Sequence, residues 1–467
     1  MTEYKLLIGG KLVDGDSSMD VIDPATEEVL AVCPRGSIAQ MDAAVAAAKT
    51  AFPAWARRPI AERRAMLIAL ADAVEARQTD LARLLTQEQG KPLAEATAEI
   101  IYTCAFIRYL SNLDLPVKVI EDNETRRVEQ HRLPLGVVGA ITPWNFPVLI
   151  TGFKIPPALL AGNTVVIKPA PTTPLTTLKL GEIIAEIFPP GVVNIVTDLN
   201  DLGGHLTQHP DVAKISFTGS TDTGHKVMAS AASTLKRLTL ELGGNDAAIV
   251  LPSADPATVA PGIFAGAFMN AGQVCLAIKR AYVHESIYDD MVTRLAELAD
   301  SAVVDNGLQQ GATIGPLQNK MQYEKVKGFL ADARADGRIV TGGETLDRAG
   351  YFIRPTIVAD IDDSSRLVRE EQFGPILPVL KYSDPEDALR RANNSPWGLG
   401  GSVWGTDREQ TRDIAMRMQA GTAWINKHLD FGPNIPFGGA KKSGVGVELA
   451  EEGLAEFTQI HIVNEAR

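Results

Sequence analysis

Cysteine is scarce in this chain, with three residues in 467, at positions 33, 104 and 275. Three scattered thiols cannot build a disulfide framework, and they fit a reducing compartment. Long apolar runs are missing as well. No stretch approaches the roughly 18–20 residues that a membrane span needs, so no membrane partner is expected. The opening Met1-Thr-Glu-Tyr-Lys-Leu-Leu-Ile-Gly-Gly10 has no basic segment ahead of a long apolar one. That argues against a signal peptide and for a cytoplasmic location. No Lys/Arg block stands out, and a formal net charge of −12 argues against a nucleic-acid partner. Internal repeats, low-complexity tracts and a G-x-G-x-x-G fingerprint are also absent.

What is present has the balance of a globular protein, with 45% apolar and 22% charged residues. A chain this long exceeds one ordinary core, and two or three domains are expected. Ser37 reads as the N-cap of a helix from Ile38 to Phe52, with Pro53 helping to end it. Helical spacing continues from Pro59 to Leu110, broken at Gly90-Lys-Pro92. Residues 117–134 alternate around an Asp-Asn turn, which predicts a charged β-hairpin or else a solvated excursion. A hairpin this polar needs a further strand, and Phe457-Thr-Gln-Ile-His-Ile-Val463 is a candidate.

From 135 to 250, short β-rich runs alternate with helical ones: 136–142, Thr164–Lys168, 192–196 and 214–217. This pattern predicts βαβ units around a parallel sheet. A second α/β region, from about 246 to 430, contains strand candidates at 280–284, 350–358 and 375–380.

Several short motifs carry chemistry. Cys275 follows Asn270-Ala-Gly-Gln-Val274, and Glu241-Leu-Gly-Gly244 lies upstream. Thiolate is intrinsically nucleophilic, whereas Cys33 and Cys104 read as core filler. Glu241 precedes paired glycines that would let a base swing, or it is a surface Glu at a turn. Pro143-Trp-Asn-Phe-Pro147 holds Asn145 between two prolines, either as an oxyanion donor or as a turn residue. Lys168-Pro-Ala-Pro171 stands at a strand's C-terminal end, where a lysine could meet a ribose or phosphate or simply lie on the surface. Phe217-Thr-Gly-Ser-Thr-Asp-Thr-Gly224 joins a strand to a helix, as a phosphate-binding turn would, or as an ordinary turn would.

Taken in order along essentially the whole chain, these segments resemble the aldehyde dehydrogenase superfamily. The resemblance rests on 142–147, Lys168-Pro169, Phe217-Thr-Gly-Ser220, Glu241-Leu-Gly-Gly244, Asn270-Ala-Gly-Gln-Val-Cys275, Glu371-Gln-Phe-Gly-Pro375 and Pro436-Phe-Gly-Gly439. It implies an α/β fold with a Rossmann-like dinucleotide-binding domain (1–116 and 135–243, with about 432–452 packing back on it). An α/β catalytic domain (244–431) and a small β oligomerisation element (117–134 and 453–467) complete it. A homodimer or homotetramer follows.

The resemblance also implies roles. Cys275 attacks the aldehyde, and the Asn145 amide holds the oxyanion. Glu241 activates the water that hydrolyses the thioester, and Lys154 and Glu448 match proton-relay positions. For NAD or NADP it implies Ile141, Pro143, Trp144, Lys168, Gly219, Ser220, Leu242, Glu371 and Phe373, with Glu371 on the nicotinamide ribose. Phe146, Phe153 and Phe437 would line the aldehyde tunnel, with Val274 and Leu276 flanking Cys275. No metal is implied.

Two positions depart from the family pattern. Many NAD-preferring members carry a Glu where this chain has Pro171, so a reason to exclude NADP is gone. Asn245 stands where many carry Lys. An aromatic-lined tunnel favours aliphatic or aromatic aldehydes. Lys427 and His428 are either solvated surface charge or partners for a semialdehyde carboxylate. A CoA-acylating member would lack Glu241, and a non-enzymatic relative would have lost Cys275 or Asn145.

Overall fold

Apolar strands alternating with helices form two parallel-centred sheets in the computed structural model, which describes residues 3–467. Met1 and Thr2, where the N-terminal reading begins, lie outside the described residues. The first sheet has at its centre five parallel strands, in spatial order Val193–Ile195, Thr164–Lys168, Val137–Ile141, Val212–Thr218 and Arg237–Glu241. In chain order that is 3-2-1-4-5, the Rossmann-like arrangement, and the order reverses beside Val137–Ile141. Outside the carboxyl ends of strands at such a reversal, open α/β sheets bind their ligands. Strands Val137–Ile141 and Thr164–Lys168 are buried at every position because helices cover both faces.

The second sheet has seven strands, with Asp246–Val250, Ile278–His284 and Ile376–Tyr382 parallel at its centre. The third is antiparallel. Lys118–Asp122 and Arg126–Pro134 form the hairpin, and Thr458–Ala466 pairs along its length, from Thr458 opposite Pro134 to Ala466 opposite Arg126.

Local chemistry explains where the elements begin and end. Ser37 caps the first long helix, its hydroxyl accepting the Gln40 amide in a reciprocal capping box. That helix runs Ile38–Arg57, so Pro53 does not end it. Pro53 is exposed, and the turn beyond it is anchored by buried Trp55, whose Nε1 donates to the Leu159 carbonyl at 3.2 Å. The next break falls as expected: Gly90 is left-handed (φ 98°) after helix Gln78–Gln89, and Leu93–Ser111 follows Pro92.

In the second sheet the expected strand at 350–358 shrinks to Thr356–Ala359. Pro355 has no N–H to donate, so parallel pairing begins only after it. Strand Gly400–Trp404 is hidden in sequence by its glycines. They serve close approach, since a Cβ on Gly401 would collide with Met418 and one on Gly400 would lie 2.5 Å from Asp246.

Candidate active site

The carboxyl ends of the first sheet, at Ile141, Lys168 and Thr218, open on a cavity of about 1500 Å³ whose far wall is made by loops of the second α/β region around Cys275 and Glu371. Every site residue expected from sequence lines it except Glu241, Lys154 and Glu448. Cys275 is partly exposed on its wall, while Cys33 and Cys104 are buried.

The loop before Cys275 turns through three consecutive left-handed residues, Asn270 (φ 51°), Ala271 (54°) and Gly272 (73°). Glycine is needed at the third, because a Cβ there would collide with the Gly374 carbonyl. The paired glycines after Glu241 have a similar use. A Cβ on Gly244 would lie 2.6 Å from the Cys275 carbonyl, and one on Gly243 would strike the Glu371 carboxylate. They admit the nucleophile's loop and the Glu371 carboxylate. Burial pushes the Cys275 thiol up to about 12, with Glu241, Asp246 and Glu371 adding to the rise and Lys279 opposing it.

Asn145 is buried, and its amide Nδ2 donates to the Gln273 carbonyl at 2.9 Å. Its own carbonyl accepts from Lys91 Nζ at 2.9 Å and Asn270 Nδ2 at 3.1 Å. Lys91 in turn pairs with Glu99 at 2.5 Å, both side chains inaccessible, and lies 3.8 Å from the centre of the Phe146 ring. The other Glu99 oxygen accepts the free amides of Val148 and Leu149, at the start of helix Pro147–Ala161. Sequence reasoning missed Lys91 and Glu99. Their signal was present, a lysine in a helix break and a lone carboxylate beside an apolar helical run.

Glu241, the last residue of its strand, lies behind the cavity wall rather than on it. Both carboxylate oxygens are buried without a hydrogen-bond partner. Burial, then the charge of Glu448, holds its pKa well above the usual carboxylate range, and Lys154 pulls the other way. Lys154 Nζ bonds Glu448 Oε1 at 2.6 Å and Ser216 at 2.9 Å, so the three groups form one buried polar cluster.

At the other end, Lys168 Nζ pairs with buried Asp198 at 2.6 Å, and Pro171 lies beside it on the wall. Ser220 caps helix Thr221–Ala231 and lines the cavity there. An anion suits this helix start, because its first amides have no partners within the helix. Trp144 stands edge-on to Phe373 with ring centres 5.3 Å apart. Glu371 accepts the Gly244 amide on one oxygen at 3.0 Å. Lysine, helix start, aromatic rings and carboxylate fit the phosphates, rings and hydroxyls of a dinucleotide.

The opposite arm is aromatic. Phe106 stacks on Phe153 at 4.9 Å, and Phe431 meets Phe106, Phe153 and Phe437 at 6.1–6.4 Å. Phe106 and Phe431 were not foreseen. Solvated charge describes Lys427, which is exposed and paired with Asp430, but it does not describe His428. The His428 ring is buried against the Leu276 carbonyl (2.6 Å) and Ser402 (3.0 Å), and burial lowers its pKa to about 3.

Asp42, His205 and His209 cluster elsewhere, closely enough to suit a metal ion. His205 Nε2 is hydrogen-bonded to Asp42 at 2.5 Å, and His209 Nδ1 accepts the Asp211 amide.

Comparison with known proteins gives a consistent result. The aldehyde dehydrogenase family model matches residues 12–463. Phenylacetaldehyde dehydrogenase of Pseudomonas fluorescens is 41% identical over 474 residues, covering 97% of this chain and 94% of its own. The NAD+ complex of betaine aldehyde dehydrogenase from Staphylococcus aureus superposes with a TM-score of 0.96 at 32% identity, covering 99% and 94%. An E. coli NADP-dependent enzyme gives 0.96 at 36% identity, covering 100% and 98%.

Proposed function

Since the chain belongs to the aldehyde dehydrogenase family and is an oxidoreductase acting on aldehydes with NAD or NADP, we propose how its own residues carry that reaction and on which aldehydes. The observation that carries the proposal is the position of Cys275, on the wall of one cavity between the dinucleotide-fitting arm and the aromatic arm.

Cys275 releases its thiol proton to solvent in the cavity, its sulfur adds to the aldehyde carbon, and the Asn145 amide donates to the oxygen as it becomes an oxyanion. Lys168, Ser220, Glu371 and the rings of Trp144 and Phe373 hold the dinucleotide, which supplies the hydride acceptor. Loss of hydride from the thiohemiacetal carbon leaves a thioester on Cys275. Glu241 then takes a proton from the water that attacks the thioester carbon, the C–S bond breaks, and the carboxylic acid leaves as the Cys275 sulfur is freed. Its unpartnered oxygens support a side chain that turns between the Lys154–Glu448 cluster and the cavity. Lys154 and Glu448 carry the proton away. Pro171 sets no carboxylate against a 2′-phosphate, which supports use of both NAD and NADP.

The four phenylalanines favour a neutral aldehyde with an aryl or aliphatic body. The relative from Pseudomonas fluorescens, named for phenylacetaldehyde, supports the same class. The edges of the three-stranded sheet carry exposed Val119, Ile120, Ile460 and Ile462, which supports assembly as a homodimer or homotetramer through this element. Buried or cavity-facing thiols, all unpaired, support a cytoplasmic enzyme.

A panel of aldehydes assayed with each cofactor tests this reading. Arylalkyl and medium-chain aldehydes should give the highest kcat/KM, with both cofactors used, and Cys275→Ala should abolish reduced-cofactor formation while keeping the fold. Full activity in Cys275→Ala would overturn it.

A further inference from the structure

One buried cation touches both the nucleophile's loop and the cofactor arm. Lys279 is the second residue of strand Ile278–His284, and its side chain is almost wholly enclosed. Nζ donates to the main-chain carbonyls of Cys275 at 2.7 Å and Val274 at 3.0 Å. It lies 3.4 Å from Oε1 of Glu371, the oxygen that also accepts the Gly244 amide. The ammonium thus donates two hydrogen bonds to the loop carbonyls and faces the Glu371 carboxylate as an ion pair. Lysine suits the place better than arginine, because a compact charge with freely turning donors can bond two carbonyls and face a carboxylate in different directions. The second Glu371 oxygen stands against Gly243 on the cavity wall.

We propose that Lys279 is a positioning residue that locks the Cys275 loop to the carboxylate receiving the nicotinamide ribose, and that its charge sits beside the thiol. The proposal rests on the reading of Cys275 as nucleophile and Glu371 as ribose ligand. The charged groups facing Cys275 are Lys279, Glu241, Asp246 and Glu371. The three acids come from strands Arg237–Glu241 and Asp246–Val250 and from the Glu371 loop, and all disfavour the thiolate. Asp246 is itself raised to about 7 by burial, so it adds full negative charge only as pH climbs past neutrality. Lys279 opposes all three. With a neutral side chain at 279 the acids would act unbalanced, and Glu371 would lose one of the two contacts that aim its free oxygen at the cavity.

The experiment uses full-length Lys279→Gln, which keeps amide donors for the carbonyls and removes the charge, beside Lys279→Met. Alkylation of Cys275 by iodoacetamide is followed by mass spectrometry of its peptide across pH, and cofactor dissociation constants are measured by quenching of tryptophan fluorescence. Both variants should alkylate about tenfold more slowly at a given pH, the effect of one unit in thiol pKa. Their cofactor Kd should rise severalfold. Movement of one quantity without the other overturns the linkage, and wild-type values for both in Lys279→Gln overturn the whole proposal. Should neither single variant fold, Lys279→Gln/Glu371→Gln is compared with Glu371→Gln alone. Slower alkylation in the pair supports the role of the charge, and equal rates contradict it. Failure of the underlying reading looks different: Cys275→Ala would keep turnover, or Glu371→Gln would bind cofactor normally.

Discussion

Lys91 and Glu99 illustrate what a single side chain can do here without touching substrate. Their charges are sealed from water, and between them they fix the Asn145 carbonyl and the first amides of the helix that follows. Removing one partner strands the other charge in a dry site, which costs about 3–5 kcal/mol. Lys91→Met should therefore lose about that much stability in denaturant unfolding, and Lys91→Met/Glu99→Gln should recover much of it. The double variant should still turn over more slowly than wild type, because the Asn145 carbonyl has lost a donor. At this scale Cys275 and Asn145 stand out in the sequence through short local patterns, whereas Glu371 is reached only through the family resemblance. Lys91, Lys279, Phe106 and Phe431 were not legible. Each acts through partners that only folding brings near, as when Lys91 meets a carbonyl 54 positions away.

Among the elements, the loop that carries Cys275 is the most constrained. Gly272 combines a left-handed backbone with close contact to the Gly374 carbonyl, whereas Gly311 is equally left-handed (φ 85°) and faces open space. Gly311→Ala should cost only backbone strain, roughly 1–2 kcal/mol, and leave turnover intact. Gly272→Ala should cost more and reduce kcat at least tenfold, because the loop must shift the nucleophile. Paired thermal melts and rate measurements check this contrast. Strands with continuous apolar runs, such as Thr164–Lys168, could be read directly from the sequence. Where prolines and glycines served tertiary needs, local reading failed. Pro53 stays inside a helix that buried Trp55 holds, and Gly400 and Gly401 sit in a strand that their propensity disfavours.

Across the whole molecule, the carboxyl ends of the first sheet open on the cavity, loops of the second α/β region close its far side, and the third sheet forms a separate antiparallel element. The parallel order of the first sheet followed from its alternating apolar runs, and the polar hairpin's need for a further strand pointed to the C-terminal segment that does pair with it, while the register of Thr458–Ala466 against a strand roughly 330 positions earlier leaves no local trace. Truncation after Phe457 removes that strand and its exposed isoleucines. The shortened chain should sediment as a smaller species than the full-length protein, and an unchanged sedimentation coefficient would place the subunit contact elsewhere.

The central claim is an acyl group carried on Cys275 and released by Glu241. Glu241→Gln, mixed with a good aldehyde and NAD or NADP and quenched in acid, should yield a Cys275 peptide heavier by one acyl group. Formation of reduced cofactor with an unmodified Cys275 peptide, or an acyl group found on Cys33 or Cys104 instead, would contradict the account.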